Sequence, residues 1–433
     1  MTASQIDRAR RQTLGDVLHR TAVRYPAKLA IVDGETEFTF AEFDAVVDRF
    51  AQALAAAGLT KGDRLALMSR NCWHFAVLVF ATARLGVILV PVNFMLTEAE
   101  VSYVLDSSGA TGFLVEDGLL SAVSGAVDSR IAVRGVIRLA GHVTPSGWID
   151  VADWAQGGPA YESLDPPIDD DDPIRLMYTS GTESRPKGVV LSSRSLIAEY
   201  TSCLVDGKMT HDDVDLHALP LYHCAALDAF LGPDVYVGAT GIILRSPDPT
   251  AILQAISKHR VTKFFAPPTV WISILRSPLF DETDLSSLRK GYYGASPMPT
   301  EILREIQERL PGIELWNFYG QTELGPLATL LPPEDQAEHA GSAGRSVLNI
   351  ETRVVDSDGL PVPPGTVGEV VHRGPHIALG YWGDPDSTAA AFRSGWFHSG
   401  DLAVMSPDGR LTIVDRIKDM IKSGGENVAS REV

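Results

Sequence analysis

The stretch Leu176–Ser192, LMYTSGTESRPKGVVLS, decides how the rest of the chain is read. It holds the hydroxyl residues Thr179, Ser180 and Thr182, the glycines Gly181 and Gly188, and the cations Arg185 and Lys187. Apolar runs flank it, Ile174–Tyr178 before and Val189–Leu191 after. Short apolar runs bounded by turn residues read as buried strands. The stretch is therefore expected to be a strand, a polar loop and a second strand. Hydroxyls, backbone N–H groups and a lysine at the rim are what a polyphosphate requires. A Walker A loop would need glycine directly before the lysine and Ser or Thr after it. Here Pro186 precedes Lys187 and Gly188 follows it, so that reading fails and another kind of phosphate loop remains.

Outward from the loop, strands and helices alternate. Leu14–Tyr25 has helical spacing and is stopped by Pro26, and Leu29–Asp33 with Glu37–Phe40 reads as a hairpin around Gly34. Thr39 and Glu42 form a capping-box pattern before a helix that runs to Ala57. Arg64–Met68, Val87–Pro91 and Thr111–Val115 read as strands, with helices at Cys72–Leu85 and Glu98–Ser107. Beyond the loop, strands are expected at Asp215–Pro220, Lys263–Ala266, Leu288–Tyr293 and Glu314–Phe318, with helices from Ser195, Thr250 and Thr300. Leu221–Ala226 reads as an apolar turn and Val235–Leu244 as a β-rich run. This alternation predicts an α/β fold with a largely parallel sheet. From Gly341 short strands separated by Gly, Pro and Asp turns point to a smaller β-rich part. Tyr161–Asp172, acidic and proline-bearing, reads as a solvated connector.

Composition limits the function classes. The chain has 433 residues, 45% of them hydrophobic, which suffices for more than one core. A formal charge of −18 does not favour nucleic acid or an anionic membrane as partner. Cys72, Cys203 and Cys224 are isolated, with no CxxC pair, so neither a zinc knuckle nor a disulfide framework is expected and a reducing cytoplasm fits. The N-terminus lacks the apolar core of a secretory signal. The longest apolar stretch, Phe75–Val92, carries Arg84 and Gly86 and reads as a buried helix and strand rather than a membrane span.

Several further groups are candidate site residues. Thr322 and Glu323 follow a predicted strand end, where ligands collect in open α/β sheets. Glu323 offers a hard oxygen ligand for Mg²⁺, although capping residues of a helix start account for the pair equally well. Gly294-Ala295-Ser296 would let the backbone approach a flat ring closely, but such turns are common. Asp401, after Gly400, can accept ribose hydroxyls or can simply be a turn aspartate. Arg416 could join it or form a surface ion pair. His223 sits in an apolar context, where histidines more often pack than catalyse.

The order of these motifs says more than any one of them. YTSGTESRPKG, LPLYH, NFYGQTE, GWFHSGD and DRIKDMIKSGGENV, in that sequence, resemble the adenylate-forming superfamily, and most closely fatty-acyl-CoA synthetases. The resemblance implies an acyl-adenylate-forming fold with a large N-terminal AMP-binding domain over residues 1–415. Within it, two packed, mostly parallel α/β parts are expected over 1–172 and 173–340, and the β-rich part over 341–415. It implies that Thr179, Ser180, Gly181, Thr182 and Lys187 wrap the ATP phosphates. Gly294, Ala295, Ser296, Asn317, Phe318, Tyr319 and Gly320 would hold adenine. Thr322 would contact the α-phosphate, Glu323 with Thr182 the Mg²⁺, and Asp401 with Arg416 the ribose. His223, Cys224, Ala225, Asp228, Gly320 and Gly325 would line the acyl group, with catalysis resting on Thr182, Lys187, His223 and Glu323. Lys418 would be the hinge, with 416–433 leading into a small C-terminal domain not contained in the chain. That domain, roughly a hundred residues by ordinary domain size, normally carries the adenylation lysine, so slow turnover is expected. The implied reaction uses ATP, Mg²⁺ and CoA to activate a carboxylic acid, first a fatty acid, alternatively an aryl, aryl-alkanoate or steroid-derived acid. A non-catalytic nucleotide-binding module is the rival from another class, and a homodimer is left open. The usual loop reads SGTTGxPKG; Glu183 and Ser184 stand here in place of Thr and Gly, which sets a carboxylate beside the expected phosphate site.

Overall fold

The computed structural model describes residues 3–156, 167–179, 185–417, 421–423 and 426–428. Ser180, Gly181, Thr182, Glu183, Ser184 and Lys418, and much of the acidic connector, lie outside the described residues.

Two large sheets carry the α/β part. One has nine strands, in spatial order Arg345–Ser346, Leu327–Leu331, Glu314–Gly320, Lys290–Gly294, Lys263–Phe265, Val214–His217, Thr240–Ile243, Leu29–Asp33 and Thr36–Thr39. Its interior strands are parallel, and antiparallel pairs close both edges. The other has eight, in the order Gly380–Tyr381, Lys187–Ser192, Pro173–Thr179, Ile88–Pro91, Arg64–Met68, Gly112–Glu116, Val133–Ile137 and Ile149–Asp150. Interior strands such as Ile88–Pro91 and Gly112–Glu116 are buried at every residue, as parallel strands covered on both faces must be.

Sheet membership crosses the expected 172/173 boundary. The Leu29–Asp33 hairpin pairs with Thr240–Ile243, and the strands on either side of the phosphate loop join the early sheet. Edge pairing across two hundred residues leaves no local trace in hydrophobic periodicity, which reports only which face of an element is buried. The helix expected at Cys72–Leu85 forms at Trp73–Leu85, with Cys72 as N-cap and Gly86 in the left-handed region as C-cap. It is buried almost throughout, and Arg84 leaves the core by pairing with Asp44 and Asp48. No described helix is long and apolar enough to cross a membrane. All three cysteines are free and buried.

Two readings are corrected between the sheets. Leu221–Ala226 ends in helix rather than turn: Cys224–Ala226 is α-helical, Leu227–Leu231 is a π-helical turn and Gly232–Val237 is α-helical. Val235–Leu244 is therefore not one β run; helix ends at Gly238, φ +95°, and the strand begins at Thr240. Apolar surroundings on every side override the β-propensity of Val235 and Val237.

The third sheet, of five strands, is antiparallel throughout: Glu351–Val355, Val367–Arg373, Trp396–Met405 and Phe392–Arg393 in order, with Leu411–Arg416 paired to Trp396–Met405. The Ser342 hydroxyl and the Ala343 N–H both donate to the Leu411 carbonyl, at 2.8 and 2.7 Å, and fasten this sheet to the nine-stranded one.

Candidate functional site

The stretch that opened the sequence reading folds as expected on both sides of its loop. Pro173–Thr179 and Lys187–Ser192 pair antiparallel, with Tyr178 opposite Gly188 and Thr179 opposite Lys187. Lys187 Nζ donates to Ser387 Oγ at 2.8 Å and lies 5.1 Å from the Tyr381 ring centre. The Tyr381 hydroxyl donates to Glu323 Oε1 at 2.8 Å. Tyr381 thus ties the phosphate-loop lysine to the carboxylate expected at the metal. Nothing in its sequence context marked it. Burial pushes the Glu323 carboxyl above its usual range, and the Tyr381 hydrogen bond only partly offsets this. An under-neutralised oxygen ligand of this kind suits a Mg²⁺ that takes its remaining ligands from phosphate and water.

Strand ends from two sheets meet in a polar pocket of about 330 Å³. Ala295, Ser296, Asn317, Phe318, Tyr319, Gly320, Asp401 and Arg416, all expected, line it. Tyr293, Met298, Gly341, Ala343, Ile413 and Asp415 line it too and carried no motif signal. Gly294 lies just behind: a Cβ there would meet the Phe318 carbonyl oxygen at 2.4 Å, so only glycine permits the two strand ends to close up. Ala295 adopts φ +65°, a conformation side chains other than glycine's disfavour, at the pocket wall.

Asp401 is the hub. Antiparallel register sets it opposite Arg416, whose Nε is 3.2 Å from Asp401 Oδ1. The Tyr319 hydroxyl donates to Oδ2 at 2.6 Å and Gln321 Nε2 to the same oxygen at 2.8 Å. Burial and the neighbouring carboxylate keep the Tyr319 phenol well above its usual pKa, so it remains a donor. Asn317 is held by its amide donating to the Ser342 carbonyl at 2.8 Å.

A second, apolar pocket of about 160 Å³ adjoins the first and shares Ala295, Phe318, Tyr319 and Gly320 with it. Gly320 is another forced glycine, since a Cβ would sit 1.8 Å from the Pro326 carbonyl oxygen. Cys224, Ala225 and Thr322 line this pocket, and Cys224 Sγ meets Thr322 Oγ1 at 3.4 Å. Burial pushes the Cys224 thiol up to about 12, so it is a packing group and not a nucleophile. Of the other residues expected at the acyl wall, Asp228 is turned away. It is fully buried, paired with Arg175 and hydrogen-bonded by the Tyr200 hydroxyl at 3.2 Å. A carboxylate next to a buried guanidinium is held there by a charge it cannot leave unpaired. His223 is exposed beside Tyr222 and does not line the pocket, and Gly325 lies behind it, against Glu199.

Two mostly parallel sheets with glycine-cleared strand ends around a polar pocket make an α/β fold of the kind in which ligands collect at strand ends. The chain belongs to the AMP-binding enzyme family, whose model matches residues 18–382. It is 37% identical over 98% of its length to a feruloyl-CoA synthase of Amycolatopsis sp., covering 82% of that protein. A long-chain-fatty-acid–CoA ligase of Escherichia coli is 31% identical over 99% of this chain and 81% of its own. The N-terminal domain of FACL13 from Mycobacterium tuberculosis superposes with a TM-score of 0.86 at 30% identity, over 94% of this chain and all of that domain.

Proposed function

We propose that the chain is an ATP-dependent acid–thiol ligase that works through an acyl-adenylate. One observation carries this reading: the polar pocket and the apolar pocket meet along Ala295, Phe318, Tyr319 and Gly320, with Thr322 in the wall of the apolar one. A nucleotide in the first and an acid in the second bring the carboxylate to the α-phosphate. The carboxylate oxygen attacks the α-phosphorus, the bond to the bridging oxygen breaks, and pyrophosphate leaves. The thiol of CoA then attacks the acyl carbonyl, loses its proton to solvent, and AMP leaves.

In this reading Asp401 accepts the ribose hydroxyls, with Tyr319 and Gln321 holding its orientation and Arg416 free to swing toward phosphate. Asn317, Phe318 and the Gly294–Ser296 turn bracket the base, and the Thr322 hydroxyl donates to the α-phosphate. Lys187, Thr179 and the loop residues Ser180, Gly181 and Thr182 hold the β- and γ-phosphates. Mg²⁺, when bound, neutralises charge on the phosphates, and Glu323 is the described residue that fits it. Positioning and charge stabilisation supply the rate enhancement. A fatty acid and an aryl acid both satisfy this chemistry, and both occur among the substrates named for relatives.

Pyrophosphate release from ATP with a panel of carboxylic acids, followed by thioester detection with CoA, tests the reading. Acid-dependent pyrophosphate release is expected. Nucleotide binding with no acid dependence would favour a non-catalytic nucleotide-binding module instead.

A further inference from the structure

The far end of the apolar pocket is a wall held from behind on two sides. Phe230 stacks on Phe265 with ring centres 4.5 Å apart and planes 13° apart, and Phe318 lies 5.6 Å from Phe230 at 22°. Phe230 rides on the π-helical turn Leu227–Leu231. On one side of it Asp228 is paired with Arg175, which sits in the strand leading into the phosphate loop. On the other, Asp234 is paired with the buried Lys263 and lies 3.3 Å from His217. Lys263 Nζ also lies 5.8 Å from the Phe230 ring centre. Its ammonium, kept charged by Asp234 and Asp215, occupies the middle of that acidic cluster. Moving the wall outward would therefore separate buried ion pairs and leave a charge without its partner.

The space in front of the wall is small. It measures about 160 Å³, close to the roughly 150 Å³ of an enclosed apolar cavity that takes one benzene ring, and it opens toward the polar pocket along Ala295, Phe318, Tyr319 and Gly320. Its far end is apolar: the side chains of Ala229, Phe230, Phe265 and Leu327 carry no polar atom. Flat, parallel aromatic faces favour a stacked or edge-on ring over a flexible chain.

We infer that the acid taken by this pocket ends in a single aromatic ring whose far edge carries no polar group, and that Phe230 and Phe265 set this limit. The inference rests on the reading of the apolar pocket as the acyl site. A dodecyl chain has about twice the carbon of one ring and overfills the pocket. A hydroxyl on the far edge of the ring loses its water and finds no partner.

The test uses the whole chain and three non-hydrolysable acyl-sulfamoyl adenosines, with cinnamoyl, 4-hydroxycinnamoyl and dodecanoyl groups, measured by calorimetry beside AMP. Pyrophosphate release with the three free acids gives a second readout. The cinnamoyl compound is expected to bind about 100-fold more tightly than the dodecanoyl and about 10-fold more tightly than the 4-hydroxycinnamoyl compound. Phe230→Ala is expected to cut the first ratio to below about 10. Phe265→Leu, a gentler change, shifts it in the same direction if Phe230→Ala does not fold. Dodecanoyl binding as tight as cinnamoyl in the native chain overturns the inference, as does a ratio unmoved by both substitutions. Acyl compounds that all bind no better than AMP would instead overturn the assignment of the pocket itself.

Discussion

In the polar pocket the walls are fixed by hydrogen bonds: Asp401 takes two donors on one oxygen and an arginine on the other. In the apolar pocket next to it the walls are fixed by ion pairs that never face the cavity, Arg175 with Asp228 and Lys263 with Asp234. The first arrangement exposes its polar groups to the ligand and can exchange one partner for another. The second hides them and leaves only shape to act on the ligand. Two pockets that share four wall residues can therefore differ in how readily they adapt; under the proposed function the nucleotide is recognised by chemistry and the acid by volume.

The strongest way to break this contrast is at the hidden pairs. Asp228→Ala leaves Arg175 buried without its partner and is expected to lower stability by about 3–5 kcal/mol in denaturant melts. Arg175→Met with Asp228→Leu removes both charges and should recover most of that loss. If the single change is silent, the wall is not held by charge. Asp401→Ala attacks the other pocket. AMP affinity is expected to fall about 100-fold by calorimetry, close to 3 kcal/mol, with the preference among acyl groups unaltered. A parallel change in acyl preference would show that the pockets do not act separately. Thr322→Val, in the wall of the apolar pocket, should lower pyrophosphate release about 10-fold through the loss of one hydroxyl donor.

The smallest effect concerns Glu199, fully buried behind Gly325 and hydrogen-bonded by the Cys203 thiol at 2.9 Å. Burial raises its pKa well above the usual glutamate range. The folded chain then keeps a proton that the unfolded chain loses, so this residue's contribution is fully present at low pH and fades as pH rises toward the folded value. Glu199→Gln mimics the protonated acid. It should be within about 1 kcal/mol of the native chain at pH 5 and gain on it relatively by pH 8, as read from melting curves. A constant difference across that range would show that Glu199 is not held protonated.

The polar pocket was largely legible in the sequence because its chemistry restricts residue type. An aspartate after glycine and a glycine-alanine-serine turn each stand out against a core of Val, Leu and Ile. The apolar pocket was not, because Phe230 and Phe265 are indistinguishable in sequence from the packing aromatics around them. Asp228, expected at the acyl group, pairs instead with Arg175, and a partner 53 residues away leaves no local signal in the sequence. Tyr381 was missed for a similar reason: its role arises from the pairing of Gly380–Tyr381 with Lys187–Ser192, which local pattern does not encode. The strand-helix alternation was readable outside the Cys224–Val237 helical run, whereas which sheet received each strand was not.

The Arg175–Asp228 pair joins the strand that feeds the phosphate loop to the turn that carries Phe230. In a laboratory lineage selected for bulkier acids, this makes the order of substitutions matter. Trimming side chains at positions 229, 230 and 265 is open from the first round. Shifting the backbone of the turn becomes accessible only after both charged partners have been replaced together, so the path to a larger substrate is epistatic rather than gradual.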